Sequence, residues 1–178
     1  MKIDNKYKLD LLFDSKQINK RVLELAEEIN SHYNEQDDLI VICVLHGSVF
    51  FCSDLTKAMH KNITLDTVRV KSYSKTERRD IKIINDISID LEGKKVLIVE
   101  DIVDTGQTVN FLYKYVKDKK PENVKIVSFL FKPDVYKLDV PIDWVGFEIE
   151  NHFVVGYGLD YDEKLRNLNE IYRLVIDE

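Results

Sequence analysis

A turn of small and hydroxyl-bearing side chains, Asp104 to Thr108, is suited to holding a phosphate group. Gly106 lets a ligand approach the backbone closely, and Thr105 and Thr108 supply hydroxyl groups. If a helix begins after this turn, its first N–H groups point at the bound anion. The turn therefore predicts a phosphate site at the start of a helix.

Two acidic residues, Glu100 and Asp101, precede this turn and change what it can bind. They would repel a bare phosphate, whereas carboxylates suit hydroxyl groups or Mg²⁺. The stretch therefore fits a ligand that carries phosphate, hydroxyls and metal together, as a ribose phosphate does. A capped helix beside an exposed turn would explain a single Asp or Thr here, but not the whole run from Val96 to Thr108.

The segments on either side of this run should place it at the edge of a sheet. Val96–Val99 and Leu39–Leu45 are apolar at every position, which predicts central strands buried on both faces. A helix after the turn is predicted by apolar residues at helical spacing, namely Val109, Leu112, Tyr113 and Val116. In an open α/β sheet, ligands bind beyond the carboxyl ends of the strands. The acidic loop that we expect after Val99 therefore lies where a site should be.

Further strands and helices alternate along the chain. Helices are predicted from the Asp14-Ser15 cap to about Tyr33, and from Val49 to His60. Strands are predicted over Ile63–Tyr73, Ile81–Asn85, Val124–Phe131, Val145–Ile149, Val154–Val155 and Ile171–Val175. The polar segment Lys71–Asp80 should be a mobile loop at the tip of a long hairpin. The alternation predicts an α/β fold with a mostly parallel twisted sheet flanked by helices.

Length, charge and cysteine content limit the class of protein. The chain has 178 residues, so we expect residues 1–178 to form a single domain. A net charge of −6 disfavours binding to nucleic acid. The longest apolar run, Leu39–Leu45, is far shorter than the ~20 residues that span a bilayer, so no membrane partner is expected. Cys43 and Cys52 lack metal-ligand spacing, which predicts buried free thiols and a cytoplasmic protein.

The run from Val96 to Thr108 resembles the phosphoribosyl-pyrophosphate signature of type I phosphoribosyltransferases. Nearly the whole chain resembles the hypoxanthine (hypoxanthine-guanine) phosphoribosyltransferases. The resemblance implies a purine-salvage enzyme that moves the 5-phosphoribosyl group of phosphoribosyl pyrophosphate to N9 of a 6-oxopurine and releases pyrophosphate. It also implies Mg²⁺ as cofactor, IMP or GMP as product, a small hood formed by the chain ends, and a homodimer or homotetramer.

The resemblance assigns roles to the residues of this run. Glu100 and Asp101 would hold the ribose hydroxyls, directly or through Mg²⁺. The 5-phosphate would be held by Asp104, Thr105, Gly106, Gln107 and Thr108. Asp104 would also face N7 of the purine as general acid or base. The chemistry supports that role independently, because N9 can attack an oxocarbenium-like carbon only if the base loses a proton.

Two shorter segments match the same family. His46 and Gly47 follow the first buried strand, in a turn that would grip pyrophosphate with backbone amides and that often contains a non-proline cis peptide bond. Many members carry Lys or Arg where His46 stands. Ser72 and Tyr73 match the Ser-Tyr pair of a flexible lid that would exclude water from the reacting centre. A solvated hairpin tip is the alternative for the second segment.

The last matching positions would select the base and complete the metal site. Lys132 resembles the lysine that donates to the exocyclic O6, and a donor there disfavours the amino group of adenine. Phe153 would stack on the purine, and the backbone of Val154 would meet its pyrimidine edge. Asp160 would bind Mg²⁺ and Arg166 would reach pyrophosphate.

Two other functions compete with the enzyme. A regulatory RNA-binding or sensor member of the same fold would use the ribose-phosphate signature without catalysis, but it predicts a basic face. A flavodoxin-like module with a metal-binding acidic loop leaves the segment from Phe153 to Arg166 unexplained. Neither motif by itself ranks hypoxanthine, guanine and xanthine as substrates.

Overall fold

The computed structural model of the chain describes residues 2–4, 7–75 and 78–176, with side chains for residues 7–71 and 81–175. The strands are β1 (Lys2–Asp4), β2 (Tyr7–Phe13), β3 (Leu39–Leu45), β4 (Ile63–Lys75), β5 (Arg78–Asn85), β6 (Lys95–Val103), β7 (Asn123–Phe131), β8 (Trp144–Glu148), β9 (Val154–Val155) and β10 (Ile171–Ile176). The helices are α1 (Ser15–His32), α2 (Val49–Ala58) and α3 (Gln107–Lys117).

The larger sheet has the strand order β5-β4-β3-β6-β7-β8. All neighbours are parallel except β5, which is antiparallel to β4. Parallel pairing aligns Leu39 with Lys95 and Lys95 with Asn123, so β3, β6 and β7 all end at the same edge. This confirms the predicted mostly parallel α/β fold.

Helices cover both faces of this sheet. Side chains alternate along β3, so that Val41 and Cys43 join the core under α1 and α2, while Ile40 and Ile42 join the core under α3. The apolar stripe of α1 is buried as its spacing predicts, through Ile18, Val22, Leu25, Ala26 and Ile29. In α3, Val109, Leu112 and Val116 are buried, whereas Tyr113 is only half-buried.

The chain ends form a second, antiparallel sheet with the order β1-β2-β10-β9. β2 pairs with β10 from Tyr7 opposite Ile176 to Phe13 opposite Ile171. This sheet confirms the expected hood, although the strand at residues 7–13 was not predicted from the sequence. Its alternation is interrupted, because Leu9 is buried but Leu11 is exposed.

Several element boundaries differ from the prediction. β6 continues through Glu100 to Val103 and pairs with β7, so the acidic residues that we expected in a loop lie on a strand. β4 and β5 pair from Arg69–Asn85 out to Lys75–Arg78, which confirms the hairpin but extends its strands into the predicted loop. α2 ends two residues early, at Ala58.

The remaining predictions concern thiols and membranes. Cys43 and Cys52 are buried and free, as predicted. Among the described residues, no helix is both long enough and apolar enough to cross a bilayer.

Candidate active site

Glu100 and Asp101 lie near the carboxyl end of β6, and their carboxyl groups are withdrawn from water. Glu100 is only 4% exposed, and its Oε1 atom accepts no hydrogen bond from the described residues. Burial, with Asp101 and Cys43 nearby, raises the pKa of Glu100 well above its ordinary value. Burial also raises the pKa of Asp101 to about 6, although the N–H of Ile102 donates to Asp101 Oδ1 at 2.8 Å. Such carboxyl groups gain stability when a cation or hydroxyl group reaches them.

Gly47 brings the turn after β3 against both Asp101 and the C-terminal segment. A Cβ atom on Gly47 would lie 1.6 Å from Asp101 Oδ2, so no other residue fits without moving that carboxylate. A Cβ atom on Gly158 would lie 1.9 Å from the carbonyl oxygen of Gly47. Two glycines therefore let three distant segments meet at one point. The peptide bond between Leu45 and His46, just before Gly47, is cis.

The turn at residues 104–108 connects β6 to α3. Gly106 is the N-cap of α3 and has φ +82°, a left-handed conformation that favours glycine. A Cβ atom there would lie 2.4 Å from the Tyr136 ring, so close packing also requires glycine. No side chain bonds to the helix as a cap, and its first turn contains no acidic residue. The helix N-terminus is thus arranged as the sequence predicts for an anion site.

Asp160 and Arg166 form an ion pair in the C-terminal segment. Arg166 Nη2 lies 2.7 Å from Asp160 Oδ1, and its Nη1 atom donates to the carbonyl oxygen of Gly158 at 2.7 Å. The second carboxylate oxygen of Asp160 accepts from the N–H of Glu163 at 2.9 Å. These bonds hold both side chains in place beside Gly158.

One cleft of about 410 Å³ joins these segments. Its lining includes predicted site residues from the ends of β3 and β6 and from the C-terminal segment: His46, Gly47, Glu100, Asp101, Asp104, Thr105, Gly106, Gln107, Thr108, Asp160 and Arg166. We call this group the phosphate side. The structure therefore brings together the two motifs that the sequence places about fifty residues apart.

Lys132 lies just beyond β7, next to the cleft. Its side chain is only 8% exposed, and its Nζ atom lies 3.3 Å from Asp104 Oδ2 and 3.3 Å from Asn151 Oδ1. Its backbone N–H donates to the carbonyl oxygen of Val103 at 3.0 Å, which ties the end of β7 to the end of β6. A lysine at the end of a strand is more often solvated, whereas the structure shows a buried one.

Phe153 and Val154 follow Asn151, whose side chain contacts Lys132, by two and three residues. Phe153 is 54% exposed, so it is not the core aromatic that its apolar neighbours would allow. Its ring contacts Tyr161 edge-to-face at 5.8 Å, while Val154 is buried in β9. We call Lys132, Asn151, Phe153 and Val154 the base side. These residues do not line the cleft themselves; the contact of Lys132 with Asp104 connects them to it.

For two predicted site residues, the structure describes the backbone but not the side chain. The backbones of Ser72 and Tyr73 pair with Ile81 and Asp80 in the hairpin, but their side chains are outside the described residues. Their assignment to a lid stays a prediction.

The donors of the phosphate side suit a magnesium ion shared with a substrate. Among the described residues, no three or more His, Cys, Asp or Glu side chains form a cluster that could hold a metal by themselves. Mg²⁺ typically takes one or two carboxylates and completes its shell with water and substrate phosphate. The unpartnered Oε1 of Glu100, beside Asp101, matches that chemistry.

Sequence reasoning missed two polar residues of this region. Arg69 lines the cleft from β4, beside Leu45 of β3, and its side chain makes no hydrogen bond or ion pair with the described residues. The sequence did contain a signal for Arg69, because it is a basic residue in the predicted strand Ile63–Tyr73, next to the polar segment Lys71–Asp80. Asn151 had no local signal, because its partner Lys132 is nineteen residues away.

Comparisons with known proteins agree with this geometry. Residues 9–162 match the phosphoribosyl transferase domain family. The hypoxanthine-guanine phosphoribosyltransferase of Aquifex aeolicus is 42% identical over 167 residues, which cover 93% of this chain and 94% of that protein. The hypoxanthine phosphoribosyltransferase of Haemophilus influenzae is 36% identical over 177 residues, covering 97% and 99%.

This chain belongs to the hypoxanthine (hypoxanthine-guanine) phosphoribosyltransferase family.

Solved structures of the family share the fold. The hypoxanthine phosphoribosyltransferase of Trypanosoma cruzi, in complex with the product IMP, aligns with a TM-score of 0.88 and 33% identity, covering 98% of each chain. A hypoxanthine-guanine phosphoribosyltransferase of Bacillus anthracis also aligns with a TM-score of 0.88, at 36% identity, covering 95% of this chain and 99% of that one. The protein is a transferase of purine salvage with the type I phosphoribosyltransferase fold.

Proposed function

We propose that the protein transfers the 5-phosphoribosyl group of phosphoribosyl pyrophosphate to N9 of hypoxanthine, guanine or both, giving IMP or GMP and pyrophosphate. The observation that carries this proposal is the shared cleft, in which the β6 carboxylates, the α3 N-terminus and the Asp160–Arg166 pair face one another. A sugar with phosphate at one end and pyrophosphate at the other requires these three features together.

The phosphate side would bind the sugar and its two phosphate groups. The turn at residues 104–108 would hold the 5-phosphate, because its glycine and the helix amides offer uncapped N–H donors. The backbone of His46 and Gly47 would hold pyrophosphate. Arg166 and Arg69, which both line the cleft, would balance its charge.

The carboxylates of Glu100, Asp101 and Asp160 would hold Mg²⁺ and the ribose hydroxyls. When bound, Mg²⁺ neutralises the charge that develops on the departing pyrophosphate. Glu100 is buried and the adjacent Asp101 is half-buried, so a cation or hydroxyl donor there offsets the cost of their ionisation.

Asp104 would handle the proton of the purine. Its side chain is 48% exposed, and its Oδ2 atom is held 3.3 Å from the Lys132 ammonium. A carboxylate held at this point, between the phosphate turn and the base side, is available to accept or share a proton at N7 as N9 attacks.

The base side would bind and select the purine. Lys132 donates to O6, which favours 6-oxopurines over adenine. The exposed face of Phe153 would stack on the flat base, and the backbone of Val154 would meet its pyrimidine edge. Ser72 and Tyr73 would close over the reacting centre from the hairpin at residues 71–80.

Two further parts of the proposal concern the location and the assembly state of the protein. The two buried free thiols fit a reducing compartment, so we propose the cytoplasm. The family resemblance supports a homodimer or homotetramer. A sensor that binds RNA is not favoured, because the net charge is −6.

An activity assay with a panel of bases tests the proposal. The protein is given phosphoribosyl pyrophosphate, Mg²⁺ and, in turn, hypoxanthine, guanine, xanthine, adenine or uracil. We expect rapid pyrophosphate release with hypoxanthine or guanine and little with adenine or uracil. No turnover with any base, together with tight binding of phosphoribosyl pyrophosphate, would instead indicate a sensor.

A further inference from the structure

The buried ammonium of Lys132 has a limited set of hydrogen-bonding directions. A lysine ammonium carries three N–H donors and accepts none. One donor faces Asp104 Oδ2 and a second faces Asn151 Oδ1, each at 3.3 Å. These two fixed acceptors take up two of the three N–H donors of Lys132. They also determine the direction in which the third N–H points.

The side-chain amide of Asn151 can contact Lys132 in only one orientation. Because the ammonium is a pure donor, the amide oxygen must face it and the amide NH₂ must point away. The amide is neutral, so Asp104 supplies the single carboxylate that the described structure places on Lys132. Asn151 therefore helps to orient the Lys132 ammonium without placing a second negative charge beside it.

The loop that carries Asn151 is anchored on both sides. The N–H of Ile149 donates to the carbonyl oxygen of Phe131 at 2.8 Å, one residue before Lys132. On the other side, the carbonyl oxygen of Phe153 accepts from Leu174 of the hood at 2.9 Å. Although the side chain of Asn151 is exposed, its backbone is held against the end of β7 and the hood.

From these contacts we propose that Asn151 is a positioning residue for base selection: it holds the Lys132 ammonium so that the remaining donor meets a 6-oxo group. The inference rests on the proposed reading of O6 by Lys132. Without Asn151, the ammonium keeps only Asp104 as a fixed partner and turns to water, so a 6-oxo base loses part of its advantage over a 6-amino base.

Kinetics of Asn151→Ala test the inference. We expect KM for hypoxanthine to rise about fivefold and selectivity over adenine to fall by a similar factor, the size of one typical net hydrogen bond. KM for phosphoribosyl pyrophosphate should stay near the wild-type value. Asn151→Asp keeps an oxygen acceptor facing Lys132 and should retain most of the selectivity.

A neighbouring variant controls for disturbance of the loop. Glu150 is exposed and its carboxylate pairs with His152 Nε2 at 2.8 Å, away from Lys132. Glu150→Ala should leave KM for hypoxanthine and purine selectivity unchanged. If Glu150→Ala and Asn151→Ala behave alike, the loop and not the amide causes the effect, and the proposal is wrong.

A double-mutant cycle with Lys132→Ala separates this inference from the function on which it rests. If Asn151 acts through Lys132, Asn151→Ala should add almost nothing in the Lys132→Ala background. An equal effect in both backgrounds would overturn the inference alone. If Lys132→Ala itself leaves purine selectivity unchanged, the reading of O6 by Lys132 fails, and the inference fails with it.

Discussion

The phosphate side and the base side are built in different ways. On the phosphate side, glycines and backbone groups create the shape, and one buried carboxylate oxygen, Glu100 Oε1, has no partner among the described residues. On the base side, the side chain of Lys132 is already satisfied by Asp104 and Asn151. The first region is thus prepared for a ligand that supplies missing partners, and the second for a ligand that uses the one donor left over.

This difference predicts different responses to mutation. Changes on the phosphate side should affect binding of phosphoribosyl pyrophosphate and metal, whereas changes on the base side should affect the choice of purine. Asp104 belongs to both regions, because it lies in the phosphate turn and contacts Lys132. Its replacement should therefore have the largest consequence.

Asp104→Ala should lower kcat by roughly 10² or more, because it removes the proposed proton acceptor. Binding of phosphoribosyl pyrophosphate, measured by calorimetry, should remain largely intact since the backbone of the turn is unchanged. Asp134→Ala, which removes an exposed carboxylate after β7, is the control. Unchanged turnover in Asp104→Ala would remove the acid–base role.

Gly47→Ala should reduce kcat/KM for phosphoribosyl pyrophosphate by about 10- to 100-fold, because a small displacement at a reacting centre has effects of this size. The new methyl group would overlap Asp101 Oδ2. Gly93→Ala is the matched control, since a Cβ atom there meets nothing within 4 Å although φ is +69°. Equal activity losses in the two variants would show that a general effect of replacing glycine, and not contact with Asp101, is responsible.

Arg69→Gln should raise KM for phosphoribosyl pyrophosphate about tenfold, the size expected when a charged hydrogen bond to phosphate is lost. KM for hypoxanthine should not change, because Arg69 lines the cleft together with the residues of the phosphate side and makes no hydrogen bond or ion pair with the described residues of the base side. Arg173→Gln removes an exposed arginine from the hood and serves as control. A rise in KM for the purine instead would mean that the boundary between the two regions is drawn wrongly.

Asp160→Asn should raise the Mg²⁺ concentration needed for half-maximal rate by roughly tenfold, the low end for a perturbed metal site. Titration of Mg²⁺ in the presence of phosphoribosyl pyrophosphate measures the effect. Asp162→Asn tests the same substitution two residues away, at a left-handed position that asparagine tolerates. An unaltered titration in Asp160→Asn would refute its role as a metal ligand.

Local sequence was sufficient where one segment defines its own environment. The apolar strand β3 and the helical stripe of α1 could be predicted because every residue of a central strand, and one face of a helix, must be buried. The prediction was wrong at Glu100 and Asp101. We expected them to lie in a loop, because acidic residues are rarely buried. They stay on the strand because β6 continues to pair with β7, at Glu100 with Ser128 and at Ile102 with Leu130.

The hood, the sheet formed by the chain ends, was also not fully predictable from local sequence. β2 was missed because its burial does not alternate regularly, and it exists as a strand because β10 pairs with it from the other end of the chain. β10 was predicted as Ile171–Val175, but its pairing with a strand at the other end of the chain leaves no signal in β2 alone.

The sequence by itself determined the fold class, the phosphate turn and the family, because each depends on contiguous residues whose spacing is visible in the chain. Only the tertiary structure decided that Gly47 lies between Asp101 and Gly158, and that Lys132 is buried between Asp104 and Asn151. These contacts join segments from different strand ends. Their geometry follows from how the parallel strands align at one edge of the sheet, which no single segment encodes.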